Sequence, residues 1–143
     1  MIIYLPLDKF NINYIFFGES TKNTVIQNGT FIRVLYSTEN IIMNGIYLYV
    51  PLTISNYNAY KCIIDILNPL TKSYINKIIL IEKNLLDKYN SNKNKIYKLA
   101  QQLQQNNIKL FNINNDIKNI ILKISGLWED ETSIGITYKF INY

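Results

Sequence analysis

At 143 residues, with 48% hydrophobic and 17% charged side chains, the chain has the size and composition of one folded domain covering residues 1–143, and a disordered tail is excluded. Its formal charge of +5 is almost all lysine, because Arg33 is the only arginine, and it suits a polyanionic partner without requiring one. With no histidine and with Cys62 alone, a Ser-His-Asp or Cys-His catalytic group, histidine metal ligands and an internal disulfide are excluded, and a reducing cytoplasmic compartment is expected.

In chain order, Ile2–Leu5 and Ile12–Phe17 read as short extended segments separated by Pro6 and Asp8. The stretch MIIYLPLDKF lacks a basic leader, and no apolar run reaches the ~18 residues of a membrane helix, so neither export nor a membrane partner is expected. Gly18–Asn23 reads as a polar loop, Thr24–Gln27 as a short strand and Asn28-Gly29 as a turn. Thr30–Ser37 alternates, with Phe31, Arg33 and Leu35 opposite Ile32, Val34 and Tyr36. A turn at Asn44-Gly45 leads into the strand Ile46–Ser55, in which Tyr47 and Tyr49 oppose Ile46, Leu48 and Val50, and Pro51 marks an edge or bulge. Tyr60–Leu67 predicts a further strand, with Lys61, Ile63 and Asp65 opposite Cys62, Ile64 and Ile66.

Asn68-Pro69-Leu70-Thr71 stops that strand, and the apolar period changes from two to helical. Ile75, Ile78, Ile79, Leu85, Leu86 and Tyr89 predict a helix over Tyr74–Tyr89, with Ser73 as N-cap and Lys77, Lys83, Asn84, Asp87 and Lys88 on the wet side. Asn90–Asn94 breaks it. A second helix is predicted over Lys95–Gln105, with Ile96, Leu99, Ala100 and Leu103 as its buried stripe and the nearby glutamines solvated. Ile108–Ile113 reads as a strand, and Asn114-Asn115-Asp116 as a turn.

The last quarter is the most regular stretch. Ile120, Leu122 and Ile124 oppose Ile121, Lys123 and Ser125, while Ile134, Ile136, Tyr138 and Phe140 oppose Gly135, Thr137, Lys139 and Ile141. These runs, Ile120–Leu127 and Ser133–Ile141, predict a hairpin around Glu129-Asp130-Glu131-Thr132, with Trp128 at its shoulder and a bulge or close approach at Gly126 or Gly135. The fold expected is mainly β with a helical insertion (α+β). Five long strands with the helices between the third and fourth, and extra short strands ahead, is the connectivity of an OB-like five-stranded barrel. A small sandwich is the other arrangement this order allows.

The residues Leu122-Lys123-Ile124-Ser125-Gly126-Leu127-Trp128-Glu129, followed by Gly135-Ile136-Thr137-Tyr138-Lys139-Phe140, resemble a C-terminal pattern in OB-type single-stranded-DNA-binding proteins of cytoplasmic DNA viruses and yeast cytoplasmic linear plasmids. The resemblance covers the last quarter only. It implies a replication protein that protects unwound DNA of a viral or plasmid genome. The chain departs from many such binders in having no acidic tail after Phe140-Ile141-Asn142-Tyr143, so recruitment of partners through a tail is not expected.

The residues argue separately for the same partner. Single strands are held by cations along the phosphates and by aromatic rings under the bases, at ~1–3 kcal/mol per stacked base. Aromatic residues make up 13% of the chain, and several neighbour cations on strands: Phe31 with Arg33, Tyr60 with Lys61, and Tyr138 with Lys139, with Lys123 and Trp128 close by in the hairpin. Tyr47 and Tyr49, opposite an aliphatic face, are the rings best placed for exposure. Each of these aromatics also has an ordinary reading as sheet packing, and each lysine as a solvated side chain.

The expected partner is therefore single-stranded DNA or RNA, with no cofactor, no metal and no enzymatic step, and with pairing of two subunits through an exposed strand edge as the oligomer the pattern allows. The competing class is a structural or protein-interaction module of a virus or plasmid (coat, scaffold or virulence factor) that binds no nucleic acid.

Overall fold

The computed structural model describes residues 4–22, 29–58, 61–111, 117 and 119–143. The longest alternating run becomes the strand on which the others are built: β10 (Ile120–Glu129), which pairs antiparallel along its length with β11 (Ser133–Asn142). On its other flank β10 has two successive partners. Ile120–Ile124 pairs with β5 (Ile46–Val50), and Gly126–Glu129 pairs with β3 (Thr30–Ser37). Ser125 marks the change, because the β10–β11 register slips between Ile124 and Gly126, as a bulge requires. Gly45 sits at the same corner with φ +92°, and a Cβ there would lie 3.1 Å from the Ile124 carbonyl, so both backbone freedom and closeness favour glycine.

The sheet extends outward from this pair. β1 (Leu5–Pro6) joins β5, while β2 (Ile15–Lys22) and β4 (Ile42–Asn44) join β3. Beyond β11 lie β8 (Asn94–Lys95) and β9 (Asn107–Phe111), both parallel to it, then β7 (Lys61–Ile64) on β9 and β6 (Ile54–Asn58) on β7. The helices α1 (Thr71–Tyr89) and α2 (Lys98–Gln104) pack on each other and on β11, with α2 also on β9. They cover one face. Ile32, Val34, Ile46, Leu48, Leu122, Ile124, Leu127, Ile136 and Phe140 from the sheet share a core with Ile78, Leu85, Leu86, Leu99 and Leu103 from the helices.

The fold is thus mainly β with two helices, as the composition of the segments predicts, and the helices do fall between β7 and β9. The sheet of the described residues is mixed, has eleven strands and is not closed into a barrel. Two expected strands divide or shorten. Ile46–Ser55 breaks at Pro51, which has no N–H for the ladder, and the chain resumes as β6 against β7. Tyr60–Leu67 reduces to Lys61–Ile64, because Asp65 starts a turn in which its carboxylate accepts the Leu67 amide, leaving Ile66 exposed. Gly18–Lys22, expected as loop, continues β2, and Ile12–Tyr14 forms a 3-10 turn.

α1 starts three residues before Tyr74, and its N-terminal turn is held by Asn68, whose side chain accepts the Leu70 amide, not by Ser73, which lies inside the helix. It ends at Asn90 in the left-handed region, φ 57°, a conformation asparagine tolerates. α2 begins later than expected because Asn94–Lys95 is drawn into a ladder with Ser133–Ile134. The expected short strand Thr24–Gln27, the turn Asn114-Asn115-Asp116, Ile2, Ile3, Asn28 and Tyr60 lie outside the described residues.

Candidate functional site

The face of the sheet turned away from the helices is organised in cross-strand rungs, and the register places most of the residues singled out in the sequence on it. Lys123 of β10 is opposite Tyr47 of β5 on one side and Lys139 of β11 on the other. Phe140 pairs with Leu110, which sets Lys139 beside Lys109 one residue back on these parallel strands, and Lys109 is opposite Lys61 of β7. One rung therefore reads Tyr47, Lys123, Lys139, Lys109, Lys61 across five strands. At the ~4.8 Å spacing of neighbouring strands it is about 19 Å long.

The side chains point outward because their neighbours along each strand (Ile46, Leu48, Leu122, Ile124, Phe140, Ile108, Leu110 and Cys62) are all in the core. Lys61, Lys109 and Lys139 are exposed, and the Lys123 Nζ lies 5.5 Å from the Tyr47 ring centroid. Lys109 escaped the sequence reading, which took Ile108–Ile113 only as a strand; the pairing of β9 with both β7 and β11 puts it between Lys61 and Lys139.

Three further rungs flank the lysines. On the side of the chain end, Tyr49, Ile121 and Ile141 are opposite one another, and Ile121 is buried beneath its neighbours although it faces away from the core. Tyr4 and Tyr143 stand beside this rung. The Tyr4 ring is 6.2 Å from that of Tyr49 and 6.3 Å from that of Tyr143.

On the other side come Arg33 with Gly126 and Thr137, then Phe31 with Trp128 and Gly135. Arg33 donates to Asn44 Oδ1 at 2.8 Å. Phe31 and Trp128 pack over the two glycines: a Cβ on Gly126 would come within 2.7 Å of the Phe31 ring, and one on Gly135 within 2.6 Å of the indole. Lys98 of α2 reaches to 5.6 Å from the Trp128 ring centroid. The glycines expected to allow a bulge or a close approach thus serve both: Gly126 adjoins the register slip, and both seat rings.

Tyr138 departs from the grouping with Lys139. Its ring is on the helix side, where its hydroxyl donates to Gln102 Oε1 at 2.7 Å, and burial beside Glu82 pushes its pKa up to about 12. Adjacent strand residues point to opposite faces, so proximity in sequence separates these two in space. Tyr60 lies outside the described residues. Of the other sequence candidates, Phe31, Arg33, Tyr47, Tyr49, Lys61, Lys123, Trp128 and Lys139 share the outward face.

The strands that carry these rungs are poor in carboxylates, although Glu19 is exposed on the adjoining β2. Across β3, β5, β7, β9, β10 and β11 the only carboxylate is Glu129, and it turns to the helix side. There it accepts from Thr30 and Ser91 hydroxyls at 3.4 and 3.3 Å and sits 3.6 Å from Lys93. Asp130 is a turn former: its carboxylate accepts the Thr132 and Ser133 amides, and these bonds lower its pKa. Three lysines on or beside α1 are engaged elsewhere. Lys83 and Lys95 hold Asp87, depressing its pKa to about 2, and Lys88 donates to the Ile12 carbonyl.

The buried nucleophile is unsuited to chemistry: Cys62 is fully enclosed and burial raises its thiol pKa. Glu82, also fully enclosed, is committed to structure. Its two oxygens accept the Leu99 and Ala100 amides at 3.0 and 2.9 Å, capping α2 from α1, while burial raises its pKa. Among the described residues no cluster of three metal-ligating side chains occurs, and no helix is long and apolar enough to cross a membrane. No family model, curated protein or solved structure matches the chain.

Proposed function

We propose that the outward face binds single-stranded nucleic acid, with the phosphates along the rung Lys123, Lys139, Lys109, Lys61, and that the protein protects unwound DNA during replication of a viral or plasmid genome in the cytoplasm. The observation that carries this reading is the rung itself. Like charges directly opposite one another on a sheet are unfavourable, and Lys61 and Lys109 make no ion pair among the described residues. A polyanion laid across the strands relieves that repulsion and releases its own counterions. The flanking rings supply sequence-tolerant stacking surfaces. The OB-type resemblance of the C-terminal hairpin agrees with this use of the sheet, although here the strands form an open sheet.

The test is a fluorescence-polarisation titration of labelled oligo-dT, oligo-U and duplex DNA at several salt concentrations. Tight, salt-sensitive binding of oligo-dT over duplex is expected, with oligo-U reporting the preference between DNA and RNA. Four neutralised phosphates correspond to a slope of log affinity against log salt of about −2.8, and the Lys61→Ala/Lys109→Ala pair lowers its magnitude by about 1.4. Absence of single-strand binding at low salt overturns the proposal.

A second reading has one observation behind it. The turn before α1 exposes Ile66, Leu67 and Leu70, with Leu67 88% exposed, which suits a protein-interaction module. The same titration separates the two, because that module has no affinity for either strand type.

A further inference from the structure

The lysine rung leaves open on which side the bases of a bound strand lie, and the two flanks differ. Phe31 and Trp128 are each already packed against the sheet over a glycine, and Lys98 approaches the indole as well. Tyr4 lies between Tyr49, tilted against it at 6.2 Å, and Tyr143, edge-on at 6.3 Å, beside the rung of buried Ile121, and none of the three is seated on a glycine. Tyr4 and Tyr143 are 40% and 55% exposed. The backbone is held next to Tyr4, where Leu5 and Pro6 pair with Leu48 and Tyr49, and at Tyr143, whose amide donates to the Asn119 carbonyl at 2.8 Å. Exposed rings on a fixed backbone next to an apolar floor lose little freedom when a flat ligand covers them.

Resting on the single-strand reading above, we infer that Tyr4, Tyr49 and Tyr143 form a nucleobase-stacking subsite, so that the bases turn toward the chain-end side of the lysine rung and away from Trp128. The distance fits. Tyr49 is two residues from Tyr47 along β5, about 7 Å from the lysine rung, which is within the reach of a base from its own phosphate. The subsite takes any base, since each has a π-face, and its apolar floor excludes the water that would otherwise wet the stacked ring.

The experiment compares oligo-dT of about 12 nucleotides with an abasic deoxyribose-phosphate oligomer of equal length, using the full chain and reading both polarisation and Trp128 emission. Tyr4→Ala and Tyr143→Ala should each weaken oligo-dT binding about 5- to 150-fold, the range of one lost stacking contact. Both should leave abasic affinity and the circular dichroism spectrum unchanged. Tyr143→Phe should bind as the parent does, and Trp128 emission should change little on binding.

If the parent binds neither oligomer, the single-strand reading fails and this inference falls with it. If it binds and the alanine variants match it, or if they lose abasic affinity equally, or if Trp128 is strongly quenched, the subsite assignment alone is overturned.

Discussion

Glu82 shows how a single side chain joins two elements. It leaves α1 at a position that helical spacing makes internal, and its carboxylate supplies the cap that α2 lacks in its own sequence, since Tyr97 at the N-cap position offers no side-chain bond. Desolvation outweighs the two amide bonds and raises its pKa, so the folded chain holds that proton more tightly than the unfolded one does. The sign follows: this contribution to stability is full below the ordinary value of 4.5 and is lost as pH rises through the raised folded value. Asp87 and Asp130 act oppositely, adding stability above 3.8 that disappears as pH falls, toward about 2 for Asp87. Glu82→Gln should therefore remove the loss on the rising limb while leaving the acid limb in place. Glu82→Ala should cost about 1–3 kcal/mol for each amide left without a partner. Urea unfolding midpoints measured from pH 3 to pH 8, in steps of about one unit around the transition, check both.

At the scale of the element, the closing hairpin depends on two absent side chains. A Cβ on Gly126 would come within 2.2 Å of the Ile32 carbonyl oxygen, a backbone atom that cannot move without disturbing the β3–β10 ladder. On Gly135 it would collide with the indole of Trp128, a ring that can shift if Lys98 follows. Gly126→Ala is accordingly expected to cost at least about 2 kcal/mol, and Gly135→Ala less, with a change in Trp128 emission as its signature. Gly18 is the milder case: its Cβ would approach the Arg33 Cβ at 3.3 Å with no positive φ, so Gly18→Ala should cost less than Gly126→Ala. Equal losses for all three in denaturant unfolding would show that the rings do not set the requirement.

At the scale of the whole molecule, stability and binding make opposite demands on the lysine rung. Lys109→Glu would place a carboxylate opposite Lys61 and turn a like-charge pair into an ion pair, raising stability by about 0.2–1 kcal/mol. It should also weaken oligo-dT binding beyond the loss caused by Lys109→Ala, because it adds repulsion where a cation is removed. Thermal unfolding and polarisation on the same preparation read the two effects, and a variant that lost both would point to misfolding of β9.

Much of this arrangement was legible in the residues themselves. Period-two alternation in Thr30–Ser37, Ile46–Val50, Ile120–Ser125 and Ile134–Ile141 separated inward from outward side chains, since successive strand residues must point to opposite faces, but it could not foresee that the slip at Ser125 turns Leu127 inward and Trp128 outward. The helical period likewise located both helices and most of their buried stripes. Alternation within a strand says nothing, however, about which strands become neighbours. That β10 exchanges β5 for β3 at Ser125, that the sheet stays open, and that Lys109 comes between Lys139 and Lys61 are decided by long-range pairing. Each strand carries its own facing, but a rung exists only where several backbones are brought into register, and the hydrogen bonds and core packing that bring them there belong to the folded chain as a whole.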